Sequence, residues 1–265
     1  MKTNKALLLG AIMLTSLFAT AQSVTWRQVN GPGTWSNTMF VSATSGMLYS
    51  VEKSGQLYKT DPEAGTWTQV DTSDYSNTAQ LFAGSKSVFT IDNSGSLYKT
   101  NPASGEWVQL GETGEWANTI AGVATYGYLF TIQSNGCLYA TNINTGVKLG
   151  IGKAEFRNTK HLFEAAGKLY SIEKDGSLYE ISEADGARRK MGSSGGWLNS
   201  VAGASISGKL WTIEKDGGLH ITELTTGRKQ RAGLAEFGEA RFMAAAKGKL
   251  YVVDASGSMC EASIN

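Results

Sequence analysis

Five times along this chain an aromatic residue is followed, two positions on, by asparagine and then by threonine or serine. The copies are Trp35-Asn37-Thr38, Tyr75-Asn77-Thr78, Trp116-Asn118-Thr119, Phe156-Asn158-Thr159 and Trp197-Asn199-Ser200. An aromatic ring beside an amide suits sugars, whose C–H faces stack on rings while their hydroxyls pair with amides. The five aromatics and five asparagines therefore form the candidate ligand-binding set. A sixth copy departs from the pattern, with Phe237 followed by Gly238, Glu239 and Ala240. The same repetition fits a packing role, in which the ring plugs a gap and Asn-Thr ties a loop by Asx-type bonds.

Other chemistry is thinly represented. The two histidines, His161 and His220, lie in different repeats, and neither belongs to a metal-spacing motif. No nucleophile elbow, phosphate loop or dinucleotide fingerprint occurs, and no paired carboxylates for glycoside cleavage converge. A non-enzyme with no cofactor and no metal is expected. A second pattern divides the chain: Trp26, Trp67 and Trp107 give way at the same repeat position to Lys148, Arg188 and Lys229. With Arg189, Lys190, Arg228 and Arg231 these predict a basic outer rim, which either protects exposed edge strands or receives an anionic glycan.

Composition bounds the partners. The 265 residues carry a net charge of +1, so no global field points to nucleic acid. Residues 1–21 read as a signal peptide: Lys2 and Lys5, an apolar run from Ala6 to Phe18, then an Ala19-Thr20-Ala21 cleavage site. Cleavage after Ala21 predicts a secreted or periplasmic protein. No second long apolar run follows, so membrane insertion is not expected.

The elements that position these residues repeat. The leucine of a "G-x-L-Y" step falls at Leu57, Leu97, Leu138, Leu178 and Leu219, with Met259 sixth, at spacings of 40, 41, 40, 41 and 40 residues. Each repeat reads as a four-stranded meander, with strand a starting near Thr38, Thr78, Thr119, Thr159, Ser200 and Ala240. That period predicts an all-β, six-bladed β-propeller over residues 22–265. The last repeat lacks its fourth strand, and Trp26 to Val29 is a fourth strand without a repeat, so the N-terminal strand is expected to close the ring. The loops before strand a and the turns between strands b and c then open on one face. Cys137 and Cys260 fall on opposite blades and are expected to stay unpaired.

The steps Trp67-Thr68-Gln69-Val70, Val88-Phe89-Thr90-Ile91 and Gly95-Ser96-Leu97-Tyr98 resemble tectonin and tachylectin-type lectin propellers. The stretch NSGSLYKTNPASGEW is also similar to the repeats of quinoprotein propellers, whose cofactor is not carried over because no metal-binding acid set is recognisable. The lectin resemblance implies multivalent binding of glycans or cell-surface polysaccharide between blades. The expected function is accordingly a secreted, non-catalytic, lectin-like protein. The alternative is a protein–protein interaction scaffold of the cell envelope, and a carbohydrate-active enzyme ranks below both.

Overall fold

The computed structural model describes residues 24–264, so the signal peptide expected over residues 1–21 lies outside the described residues. Six four-stranded antiparallel sheets account for the strands. Blade I holds β2 (Thr38–Thr44), β3 (Met47–Glu52), β4 (Leu57–Asp61) and β5 (Thr66–Gln69). Blade II holds β6 (Thr78–Gly84), β7 (Ser87–Asp92), β8 (Leu97–Thr100) and β9 (Trp107–Leu110). Blade III follows with β10 (Thr119–Ala124), β11 (Tyr128–Gln133), β12 (Leu138–Asn142) and β13 (Lys148–Ile151). Blade IV comprises β14 (Thr159–Ala165), β15 (Lys168–Glu173), β16 (Leu178–Ile181) and β17 (Arg188–Met191). Blade V comprises β18 (Ser200–Ile206), β19 (Lys209–Glu214), β20 (Gly218–Glu223) and β21 (Arg228–Ala235). In blade VI, β22 (Ala240–Ala246), β23 (Lys249–Asp254) and β24 (Met259–Ile264) are completed by β1 (Val24–Asn30).

The six-bladed propeller expected from the repeat is thus the fold, and all six first strands start where the sequence places them. The splice is antiparallel, from Val24 opposite Ile264 to Asn30 opposite Met259. Such closure leaves no unpaired sheet edge at the join. Lys247 reinforces the seam with blade I, reaching Asp61 at 2.8 Å and Glu63 at 3.2 Å.

Strand b shows why the sheets stack. In β3, Leu48, Tyr49, Ser50, Val51 and Glu52 are all buried, so both faces of the pleat are covered by neighbours. Strand a, by contrast, carries a bulge at its second residue in every blade, as between Thr159 and His161 and between Ala240 and Phe242. The bulge re-aims that residue. Where it is basic, it reaches the first strand of the next blade: Lys160 donates to the Ser200 carbonyl, and Arg241 to the equivalent Thr38 carbonyl.

Candidate functional site

The loop aromatics lie in the seams between blades. Trp35, Trp116 and Phe156 are 0% exposed, Trp197 is 1% and Tyr75 is 8%. Each joins a core cluster drawn from its own blade and the preceding one, as Trp116 does with Phe89 and Leu97 of blade II and Leu129 of blade III. The backbone completes the wedge. The N–H groups of Trp35, Tyr75, Trp116, Phe156, Trp197 and Phe237 each donate to a glycine carbonyl in the preceding blade's b–c turn, at 2.8–3.1 Å. The bond from Trp35 to Gly257 carries this latch across the ring closure. The Trp35, Trp116, Phe156 and Trp197 rings present no open face to a sugar, because packing against two sheets consumes both their faces, while Tyr75 keeps a small exposed area.

The asparagines behave differently. Asn37, Asn77, Asn118, Asn158 and Asn199 are exposed, and they share one face with the b–c turns, as the meander predicts. Each main-chain carbonyl accepts an N–H from its own blade's b–c turn, from Lys53 for Asn37 and from Lys215 for Asn199, at 2.8–2.9 Å. Glu239 does the same in the sixth blade by accepting from Ala255 at 2.9 Å. The brace is therefore a main-chain bond open to any residue, and the side-chain amides are not needed for it. Among the described residues, Asn77 alone of the five uses its amide within the fold, accepting from Asn93 at 2.7 Å.

Three strand-d cations leave the expected basic rim, while Arg189, Lys190, Arg228 and Arg231 are exposed. Lys148, Arg188 and Lys229 fold inward over the loop aromatic of their own blade. Lys148 lies 5.1 Å from the Trp116 ring, Arg188 lies 5.2 Å from Phe156 and Lys229 lies 5.7 Å from Trp197. Lys229 also meets the buried carboxylate of Glu214 at 2.5 Å, and Arg188 approaches that of Glu173 at 3.9 Å. Burial lowers the pKa of Lys148. A cation so placed gains from the ring's quadrupole and gives the buried acid its counter-charge. Arg189, two strands' width from the channel, stays on the rim and pairs with Glu180 at 2.7 Å.

The first strands surround a central cavity of about 430 Å³, lined largely by small and apolar residues with Gln80, Lys160, His161 and Glu164 among them. Burial and the neighbouring Lys160 depress the pKa of His161 to about 4. Its Nε2 is buried without a hydrogen-bond partner among the described residues. His220, on β20, has its pKa lowered chiefly by burial, and its Nδ1 lies 3.3 Å from the Gly218 carbonyl. Cys137 and Cys260 are free.

An apolar wall on blades II and III holds most of the large exposed apolar groups. Val108 (55%), Tyr126 (97%), Tyr128 (42%), Val147 (55%) and Leu149 (62%) belong to it, while Trp107 (51%) lies on the opposite face of β9 from Val108 and Leu198 (51%) lies in the loop before blade V. The backbone links the segments that carry them. Ile143 donates to the Gly127 carbonyl between the two tyrosines, and Lys99, cross-strand from Val108, donates to the Ile143 carbonyl at 3.0 Å. The sequence reading passed over this patch because the residues are scattered singly through non-equivalent repeat positions.

Fold and site together define a closed, six-bladed β-propeller whose distinctive surfaces are an amide-bearing face and an apolar wall. The PQQ_2 family model, described as outer membrane protein assembly factor BamB, matches residues 14–191, and the chain belongs to that family. The match agrees with the similarity to quinoprotein repeats and replaces the lectin resemblance. No curated protein sequence matches the chain. Among solved structures, it is similar to a protein of unknown function from Bacteroides thetaiotaomicron VPI-5482, with a TM-score of 0.69, 12% identity and coverage of 92% of this chain and 76% of that one. It is also similar to a catalytically inactive virginiamycin B lyase from Staphylococcus aureus with quinupristin (TM-score 0.63, 9% identity, 92% and 100% covered). BamB from Moraxella catarrhalis gives a TM-score of 0.51 at 14% identity, covering 85% of this chain and 84% of that one. At these identities the likeness is one of fold.

Proposed function

We propose that this protein is a non-catalytic protein–protein interaction scaffold of the cell envelope. The observation that carries the reading is the apolar wall of blades II and III, on a chain that belongs to the BamB family. Monomeric surfaces rarely gather large apolar groups in this way without an interaction to cover them. Tyrosine is also among the side chains that anchor protein interfaces. The partner is an envelope protein. A photo-crosslinking residue at Val147 is expected to capture a discrete envelope protein in cells, and one at the exposed Lys190 of blade IV is not. Exchange of Tyr126 and Leu149 for serine is expected to abolish the adduct. Equal adducts from both positions, or none from Val147, would count against the scaffold.

Glycan binding survives as a second reading on one observation, the exposed amides of the asparagine face. A variant with Asn37, Asn77, Asn118, Asn158 and Asn199 all changed to alanine is expected to keep its fold with a modestly lower melting temperature, since the braces are main-chain but Asn77 loses the bond from Asn93 and Asn118 lies at φ +63°, where alanine is strained. Each lost neutral hydrogen bond costs about 0.5–1.5 kcal/mol, or roughly two- to tenfold per site for a soluble monovalent sugar. Sugar binding that persists unchanged in this variant removes the asparagines from any site.

A further inference from the structure

Blade II keeps a hollow where the other blades are filled. In blades I and VI a strand-d tryptophan covers the loop aromatic, Trp67 on Trp35 at 4.3 Å and Trp26 on Phe237 at 3.9 Å. In blades III, IV and V a strand-d cation covers it. Blade II has Trp107 at this position, making the edge-on contact with Tyr98 (5.5 Å) that Trp67 makes with Tyr58 (5.3 Å). Its loop ring, however, is Tyr75, which makes no ring contact with Trp107 among the described residues. The Tyr75 hydroxyl is held aside, donating to Asp71 at 2.8 Å and lying 3.4 Å from Thr100. Trp107 is left 51% exposed, and a cavity of about 350 Å³ opens over Tyr75.

Thr78 in this cavity lacks the acid partner that its equivalents in three other blades have, while Thr90 is unbonded, as its equivalents Ser50, Thr131 and Thr212 are. Thr38, Thr159 and Ser200 each donate to a buried strand-b glutamate, Glu52, Glu173 and Glu214 respectively. Ser171 does so as well. In blade II the acid is Asp92, one methylene shorter, and its Oδ1 faces its own turn, accepting from the N–H groups of Ser94 and Ser96 at 2.9 Å each. The hydroxyls of Thr78 and Thr90 line the cavity on residues only 8% and 3% exposed, and they bond no group among the described residues. Asp74 and Asp92 both contribute to the wall, and no lysine or arginine does.

We propose that this cavity receives a lysine or arginine side chain from a partner polypeptide. The proposal rests on the scaffold reading and specifies what one blade of the scaffold holds. The chain displays such a guest three times, supplied by itself. Lys229 shows the full arrangement, lying over Trp197 while donating to Glu214 and, at 2.7 Å, to the Gly196 carbonyl. Blade II offers the same shell without the occupant: the rings of Tyr75, Tyr98 and Trp107, a carboxylate and two unbonded hydroxyls. Cations are attracted to aromatic faces, more strongly once desolvated. A neutral sugar would find the rings and hydroxyls too, but would gain nothing from the charge of Asp92.

The probe is a fluorescein-labelled Gly-Ser-Lys-Ser-Gly peptide, compared with its arginine and alanine counterparts and followed by anisotropy on the mature protein. Tyr75→Trp supplies the larger ring of blade I, and Trp107→Lys supplies an internal cation as in blade III. Both variants are expected to weaken the lysine and arginine peptides by about tenfold or more, with melting temperatures held or raised. If one variant fails to fold, the other decides. Unchanged affinity in the folded variants overturns the proposal. So do equal binding of the alanine peptide, displacement by a neutral maltooligosaccharide, and the absence of saturable binding by either cationic peptide. If the peptides fail while the Val147 adduct forms, the cavity assignment falls and the scaffold stands. Peptide binding without that adduct upholds the cavity on its own.

Discussion

His161 illustrates how a single buried residue couples the fold to pH. With its pKa depressed from 6.5 to about 4, the folded protein binds fewer protons than the unfolded chain between those values. The stability this neutral imidazole allows is present above pH 6.5 and is lost as pH falls through 4. The span corresponds to at most about 3 kcal/mol of acid destabilisation, at about 1.4 kcal/mol per pKa unit. The equivalent position is phenylalanine in two other blades, Phe40 and Phe242. His161→Phe is therefore expected to fold, and to lose the fall in melting temperature between pH 6.5 and 4 that this residue causes. A wild-type slope retained in the variant would assign the acid sensitivity to other groups. Glu52 works in the opposite sense. Burial raises its pKa against the bond from Thr38, so its contribution is lost as pH rises through the raised value.

At the scale of the element, the wedge depends on glycine. Gly176 has φ +76°, and an added Cβ would fall 2.3 Å from the Leu198 nitrogen. Gly176→Ala thus meets both backbone strain and a clash with a main chain that cannot swing aside, at the latch where Trp197 donates to the Gly176 carbonyl. A loss of about 2 kcal/mol or more is expected in denaturant melts. Gly167→Ala, also at positive φ but with open space around it, should lose less. Similar losses from both would mean that the latch carries no special weight. Trp116→Ala, which empties a fully buried site, is expected to cost about 3–5 kcal/mol. These elements also show what could be read beforehand. The period of the "G-x-L-Y" step was enough to locate every blade, because each must bury the same faces against its neighbours. Whether Trp35 and its equivalents bind or pack could not be read, since either role repeats once per blade. The inward turn of Lys148, Arg188 and Lys229 was hidden for a different reason: alternation along a strand does not say which side meets a loop from the same blade. The blade II hollow combines Tyr75, whose hydroxyl turns to Asp71, with Asp92, a residue that blade VI matches in Asp254, and it acquires meaning only when the filled blades are seen.

For the molecule as a whole, closure is the decisive device. Removing residues 24–30 takes away the outer strand of blade VI and the Trp26 ring that packs on Phe237. The truncated mature chain is expected to melt well below the intact one, and as a unit, because each blade rests on two neighbours. A truncated chain that melts like the full one would deny the splice its role. The register of the splice has a mechanical side as well. Val24 and Ile264 face each other at the same end of the β1–β24 pair. A pull that draws these two residues apart loads the cross-strand bonds in succession, since they lie across the strands, rather than all at once. Tension between the two ends would peel the ring open at its join, one rung after another, while the other five blades bear none of the first load.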